Sequence, residues 1–442
     1  MSTTRLPDAA SPCKPEKYGY AIPSSAEGVA FAEPRTSPGF DATMSDFKVV
    51  VEKDFDNLAP LREEWDALAA ESAGSIYLSF DWSRTWWQFY GLNKELRIFL
   101  FYAASKLVSV FPIYIDRLGF KPFQFCVARL VCANIPPKSF NPPIHPDWAE
   151  LIFDSILTQL LERDRCDLIS LGPVCESRAF LKHFESVARR RKPLCARASL
   201  VREGVHTVFH LPKTLDDFFD GMEKDERKKR KYEMRLLAKE QSITRDVVAA
   251  AGKVEAEFES FASLHASQWL DKGKLGHFGS WPRGLQYNLA LVQAMAQLGR
   301  VRFVRILADE EVISSQFAFV FGDSWYWELP ARVMERKWNR FSLGTTGFFC
   351  LAEEAIKEGK ARIEGGISHY DYKQKLGGTE YGLELLRVVA NRFGSKVRTR
   401  LFRWLRAGVQ LVYYKVWYAR LSPRLPALLR KPIWSFWLRL DF

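Results

Sequence analysis

The chain has 442 residues, of which 47% are hydrophobic and 26% charged, with 14 Trp, 15 Tyr and 33 Phe. At about 100–200 residues per domain this is material for two or three folded units, and it excludes wholesale disorder, a collagen-like repeat and a polytopic membrane protein. The net charge of +12 is concentrated at one end: eleven residues between 396 and 442 are Lys or Arg, and only Asp441 is acidic. The rest is close to neutral, so nucleic acid is not an expected partner. The seven cysteines are scattered, with no Cys-x-x-Cys or Cys/His cluster. Neither a disulfide framework nor a metal site is expected, and a reducing compartment, the cytoplasm, fits.

Residues 1–45 hold six prolines and few periodic apolar positions, and read as a disordered leader. Met1 to Ser11 lacks the basic start and apolar stretch of a secretory signal. A strand at 47–51 is followed by a helix from Pro60 through Leu68. A second helix covers 82–90, with Ser79 or Asp81 able to cap it. Residues 96–115 approach the length of a bilayer span, but Arg97, Lys106 and Pro112 interrupt them, and a buried β-hairpin is the better reading. A strand near 123–131, a proline-rich loop at 133–146, a helix at 148–163, a strand at 167–172, a helix at 177–191 and a closing strand at 205–211 complete the first half.

The second half repeats this grammar. Helical patterns cover 214–239, 254–270 and 282–298. Strands follow at 301–307, 312–321 and 324–329, the last two joined by a tight turn at Gly322-Asp323. A helix at 344–358 and strands at 361–364 and 383–389 end it. The recurring order predicts an α/β (α+β) fold of two tandem units with mixed central sheets, at 46–211 and 212–392, and a basic aromatic helical tail at 393–442. Basic residues beside Trp404, Trp417, Trp434 and Trp437 suit an anionic membrane surface, with a helix packed on the body as the alternative. Lys224–Lys239 has acidic residues interleaved and reads as a solvated amphipathic helix.

The most informative segment runs from Trp338 to Gly378. Arg340, Leu343, Gly344, Thr345 and Thr346 stand at the start of the 344–358 helix. A helix N-terminus offers free amides and partial positive charge, and small residues there let a phosphate approach; an ordinary capped helix start has the same composition.

Three stretches together resemble a known family: Ser79-Phe80-Asp81-Trp82-Ser83-Arg84-Thr85-Trp86-Trp87 ahead of the hairpin, Arg340 to Gly347, and Gly365-Gly366 followed by Tyr370-Asp371-Tyr372-Lys373-Gln374-Lys375-Leu376-Gly377. Over about residues 47–390 the chain is similar to GNAT-like acyltransferases of the CelD/BcsL type, associated with cellulose or exopolysaccharide clusters. It is distantly similar to the Fem-type aminoacyltransferases, which double the same fold. The resemblance implies two tandem GNAT-like domains. It implies acetyl-CoA or another acyl-CoA held by the second, with the pantetheine along residues 325–329 and the diphosphate at residues 343–346. The usual GNAT loop, Arg/Gln-x-x-Gly-x-Gly/Ala, is here Arg340-x-x-x-Gly344-x-x-Gly347.

Acyl transfer needs a base for the acceptor and an acid for the leaving group. Glu328 is the first candidate base and Asp371 the second. Tyr372 or Tyr326 is the candidate acid, and Lys373 with Tyr326 would hold an anionic part of donor or acceptor. The expected function is an N- or O-acyltransferase acting on a sugar, polysaccharide precursor or amino compound, a small-molecule or glycan acceptor. Transfer from aminoacyl-tRNA is the alternative, and a non-catalytic accessory of a membrane polysaccharide synthase is the third reading. The expected location is cytoplasmic, with the tail at the inner membrane face.

Overall fold

The hairpin segment shows how this sequence builds its sheet. In the computed structural model, which describes residues 47–426 apart from 73, 122, 135, 137, 177–179 and 271–275, together with Leu429, residues 96–115 lie in two antiparallel strands. Ala104 and Ser105, both with positive φ, turn the chain between them. Side chains on both faces are buried, which explains the nearly continuous apolar run. Among the described residues no helix is long and apolar enough to cross a membrane. The leader and residues 430–442, with Trp434 and Trp437, lie outside the described residues.

The first half runs β1 (Phe47–Glu52), α1 (Arg62–Glu71), α2 (Phe80–Tyr90), β2 (Lys94–Ala103), β3 (Lys106–Leu118), β4 (Phe125–Leu130), α3 (Ala149–Leu157), β5 (Leu168–Cys175), α4 (Phe180–Arg190) and β6 (Cys195–His210). The second runs α5 (Leu215–Asp220), α6 (Lys224–Glu240), β7 (Ile243–Val248), α7 (Ala251–Leu270), α8 (Gly276–Ser280), α9 (Gly284–Ala296), β8 (Val301–Ala308), β9 (Glu311–Phe321), β10 (Ser324–Arg332), α10 (Leu343–Lys357), β11 (Arg362–Ile367), α11 (Asp371–Lys375) and β12 (Thr379–Ala390). Helix α12 (Phe393–Val412) follows.

All these strands form one mixed sheet, in the order β1-β2-β3-β4-β5-β12-β6-β11-β10-β9-β8-β7. Each half contributes four antiparallel neighbours and then a parallel one, β5 beside β4 and β11 beside β10. The halves are joined by exchanged strands. β6 pairs with β11, β12 pairs with β5, and β6 and β12 pair with each other. On one face of the second half, α10 packs Phe348 and Leu351 against Trp325, Trp327 and Phe209. On the other face, α2, α7 and α9 bury Trp82, Phe258 and Tyr287 with Phe317, Phe319 and Tyr326.

Three local features differ from the sequence reading. The helix expected at 214–239 is two, because Gly221 ends α5 before α6 begins. β7 was not expected: it is an edge strand whose four central residues are exposed, so no apolar alternation marks it. The cap expected from Ser79 or Asp81 comes instead from α1, where Asp66 Oδ1 accepts the Phe80 amide at 2.8 Å. Ser79 Oγ has no partner among the described residues, and Asp81 pairs with Arg62.

Helix α12 is fastened to the first half by one buried carboxylate. Asp167 accepts from Ser395 Oγ at 2.5 Å, from Arg398 at 2.6 and 3.0 Å and from the Cys126 amide at 3.0 Å. Burial alone would raise the Asp167 carboxyl; these donors bring it below its ordinary value. Phe402 stacks on Phe125 beside it, with ring centroids 4.7 Å apart. Asp167→Ala should cost about 1–3 kcal/mol in denaturant unfolding, since it leaves the buried Ser395 hydroxyl and Cys126 amide without their acceptor. It should also speed proteolysis within α12.

Candidate functional site

Parallel neighbours β10 and β11 pair over only three positions, Ser324 with Arg362 through Tyr326 with Glu364. Beyond these, β10 has an irregularity between Trp327 and Leu329, and β11 loses register with β6 between Glu364 and Ile367. The two strands therefore part after Tyr326 and Glu364. A bulge re-aims the residue it contains, here Glu328, and on the β11 side Gly365-Gly366 adds no side chain to the opening.

On the α2/α9 face a polar cluster surrounds this gap. Lys138 Nζ lies 2.5 Å from Glu328 Oε2 and 4.9 Å from the centre of the Tyr77 ring. Tyr77 Oη donates to Glu328 Oε1 at 3.4 Å. Burial first, then the Glu328 charge, pushes the Tyr77 phenol well above its ordinary value, so it stays a donor. Ser139, next to Lys138, lies 3.2 Å from His206 Nδ1. His206 Nε2 lies 2.5 Å from Glu364 Oε2, and Arg362 holds the other Glu364 oxygen at 2.9 Å. One loop of the first half thus reaches strands on both sides of the gap. Because the carboxylate can only accept, Nε2 carries a proton, and the tautomer that this fixes leaves Nδ1 as the nitrogen facing Ser139. The Ile76 amide donates to Tyr326 Oη at 3.3 Å, and burial raises the Tyr326 phenol.

The opposite face carries the start of α10. Ser342 takes a left-handed conformation (φ 47°) and accepts the Thr345 and Thr346 amides at 2.8 and 3.0 Å. The Leu343 and Gly344 amides have no acceptor among the described residues. Arg332, at the end of β10, lies against Gly344: a Cβ there would sit 3.5 Å from Arg332 Cδ. Arg332 is half-buried and has no carboxylate partner among the described residues. The Gly344 amide, the helix dipole and a guanidinium without a carboxylate partner among the described residues are groups that attract an anion, whereas Leu343, 0% exposed, keeps its own amide out of an anion's reach. Gly347 allows the helix to approach β9, since a Cβ would come within 2.4 Å of Gln316 and 2.6 Å of Ser314. Those two side chains form a buried chain from Trp327 Nε1 to the Leu343 carbonyl.

Lys373 lies in α11, and Gly378 lets the turn that follows this helix pack against Thr207. The side chain is 5% exposed, and among the described residues it has no ion pair; its ammonium lies 4.9 Å above the Tyr370 ring. Burial lowers its pKa to about 8, with Glu380 opposing. Asp371 projects into solvent, 83% exposed, and binds His369 at 2.9 Å. Tyr372 is 47% exposed, and desolvation pushes its phenol up to about 12. Arg340 pairs with Glu240 and lies over Phe341. Leu343 is buried, Thr346 donates its hydroxyl to the Phe341 carbonyl, and Gly344 and Thr345 are half-exposed.

The structure thus gathers Glu328 and Tyr326 at one mouth of the gap, with the 343–346 turn on the other face. Sequence reasoning missed Tyr77, Lys138, Ser139, His206, Arg332 and Glu364. Only Arg332 carried a local signal, as a cation closing the strand before the helix; the others are assembled by the exchange of strands. Among the described residues no group of three or more His, Cys, Asp or Glu side chains is placed to hold a metal ion.

Residues 224–374 match the model of the acetyltransferase (GNAT) domain. The crystal structure of FemX superposes with a TM-score of 0.54 at 10% identity, over 73% of this chain and 95% of that one. A conserved protein of unknown function from Bacteroides thetaiotaomicron VPI-5482 gives 0.51 at 10% identity, over 77% and 100%. The fold is that of a tandem GNAT-like protein. No curated protein matches the chain. Within this GNAT arrangement the parted parallel strands and the following helix are β10, β11 and α10.

Lys373 sets a pH test. Its folded pKa, about 8, lies below the ordinary 10.5. The unfolded chain therefore holds more protons between those values, and stability gains as pH rises through that window. Lys373→Met should be more stable than wild type by about 1–3 kcal/mol at neutral pH, with the difference shrinking toward pH 10. Paired denaturant melts at both pH values measure it.

Proposed function

We propose that the protein is an N- or O-acyltransferase that draws its acyl group from acetyl-CoA or another acyl-CoA and passes it to the amine or hydroxyl of a sugar, polysaccharide precursor or amino compound. The observation that carries this reading is the gap between β10 and β11, with an anion cradle on one face and acid–base groups on the other. The residues fit such a donor: Arg332 and the Gly344 amide, which lie against each other, would hold its diphosphate. The donor, when bound, supplies the activated carbonyl.

The remaining work falls to the chain's own side chains. His206 Nδ1 is the accepting nitrogen nearest the loop at Ser139. An acceptor amine or hydroxyl that bonds there, directly or through Ser139, loses its proton to the ring. Glu364 stabilises the imidazolium so formed, as the carboxylate does in a Ser-His-Asp array, and Arg362 fixes Glu364. Glu328 already accepts from Lys138 and Tyr77, so its role is to orient the acceptor beside this base. Burial keeps the Tyr326 phenol protonated as a donor toward developing negative charge, while Tyr77 spends its proton on Glu328.

A second reading, an aminoacyl-tRNA donor, is favoured by one observation. Residues before α10 do not form an open glycine loop; Arg336–Phe341 make a 3₁₀ turn that buries Trp338 and Phe341. In the first reading acetyl-CoA at about a hundred times its Kd should stabilise the chain by about 2.7 kcal/mol, seen as a raised Tm, and Arg332→Ala should weaken this. A raised Tm with charged tRNA and none with CoA would transfer the donor role to RNA. Once an acceptor is found, His206→Asn should lower kcat about a hundredfold or more with KM little changed. Unchanged turnover would remove the base, and absence of both donor effects would leave a non-catalytic module.

A further inference from the structure

At the far end of β12 from Lys373, about 35 Å away at the usual rise per strand residue, α12 and the first half enclose a groove of about 1120 Å³. Six cations line it, Arg189, Lys192 and Arg197 from α4, the turn after it and β6, and Lys396, Arg400 and Arg403 from α12, and no acidic residue does. All but Arg189 are without an ion pair among the described residues. Thr399, 7% exposed, also lines the groove, and its hydroxyl has no hydrogen-bond partner among the described residues. An unpartnered buried hydroxyl among uncompensated cations asks for an anionic oxygen.

The same helix carries a second unusual feature. Val397, Leu401, Trp404, Leu405, Leu411 and Val412 are all exposed, Trp404 by 73%. Their spacing places them in one stripe beside Lys396, Arg400 and Arg403. The buried side of α12, held through Ser395, Arg398 and Phe402, fixes which way this stripe points. The partner must therefore offer negative oxygens and an apolar layer side by side. A bilayer surface with anionic headgroups offers both; single-stranded RNA offers phosphates and stacking surfaces but nothing for the aliphatic residues.

We infer that the groove and the α12 stripe together form a docking site for an anionic membrane surface, with lipid phosphate in the groove and the stripe in the headgroup region. This surface is independent of the acyl-transfer reading. The test is co-sedimentation of the full chain with vesicles of phosphatidylcholine alone and of phosphatidylcholine mixed with phosphatidylglycerol, at low and high salt. Wild type should bind the mixed vesicles, release in high salt and ignore the neutral ones. The triple variant Lys396→Gln, Arg400→Gln, Arg403→Gln should bind about a hundredfold more weakly. The variant Leu401→Ser, Trp404→Ser, Leu405→Ser should also lose affinity while keeping its salt dependence. All six substituted side chains are exposed, and the single changes Arg403→Gln and Trp404→Ser serve where a triple variant fails to fold. Both sets should leave any response to acetyl-CoA unchanged. Equal binding to both vesicle types, no loss in the variants, or binding of single-stranded RNA without vesicle binding would overturn the proposal.

Discussion

The parting of β10 and β11 is the constraint on which the rest of the molecule depends. In a continuous sheet every inner strand spends its amides and carbonyls on its neighbours, and an unpaired buried backbone group is costly. Here two parallel neighbours share three positions and then separate, at the middle of the second half. The surroundings make this tolerable. β9 continues to pair with β10 as far as Arg332, and β6 takes up β11 again at Ile367. The opening is thus confined to one side of each strand, where an extended ligand can complete the hydrogen bonding.

Strand exchange supplies both the sheet's continuity and its chemistry. Because β6 belongs to the first half in sequence but pairs with β11, it carries His206 to the gap beside Glu364. The loop holding Lys138 and Ser139 crosses from the first half to the same place, and Glu328 lies 190 residues away from the lysine that binds it. Neither half alone contains the cluster. The first half is therefore part of the site and not only a scaffold, and changes in it should be felt in the second. Asp167 plays the corresponding part at the other end, tying α12 to β4 and β5 so that its cations and its apolar stripe share a fixed orientation.

Much of the architecture was legible because the signals were local and strong. The apolar run at 96–115 with its Ala-Ala-Ser-Lys interruption, the 301–329 strands with Gly322-Asp323, and the Gly/Thr-rich opening of α10 each announced their structure through periodicity or turn chemistry. What stayed hidden was set by distant partners. β7 survives at the sheet edge through pairing with β8, in spite of its charged residues. β6 begins ten residues before its visible apolar part because β12 lies beside it. The site divides in the same way. Glu328 and the 343–346 turn stand next to recognisable elements, whereas His206, Lys138 and Glu364 look like ordinary strand and loop residues until the exchanged strand brings them together.

Hydrogen exchange with and without acetyl-CoA, resolved to short peptides, tests the central claim most directly. The account predicts slowed exchange at residues 327–332, 343–346 and 365–367, the two lips of the gap and the free amides of α10, with little change in the first four strands. Exchange unaltered in those three segments at saturating acetyl-CoA, or protection confined to another part of the chain, would contradict it.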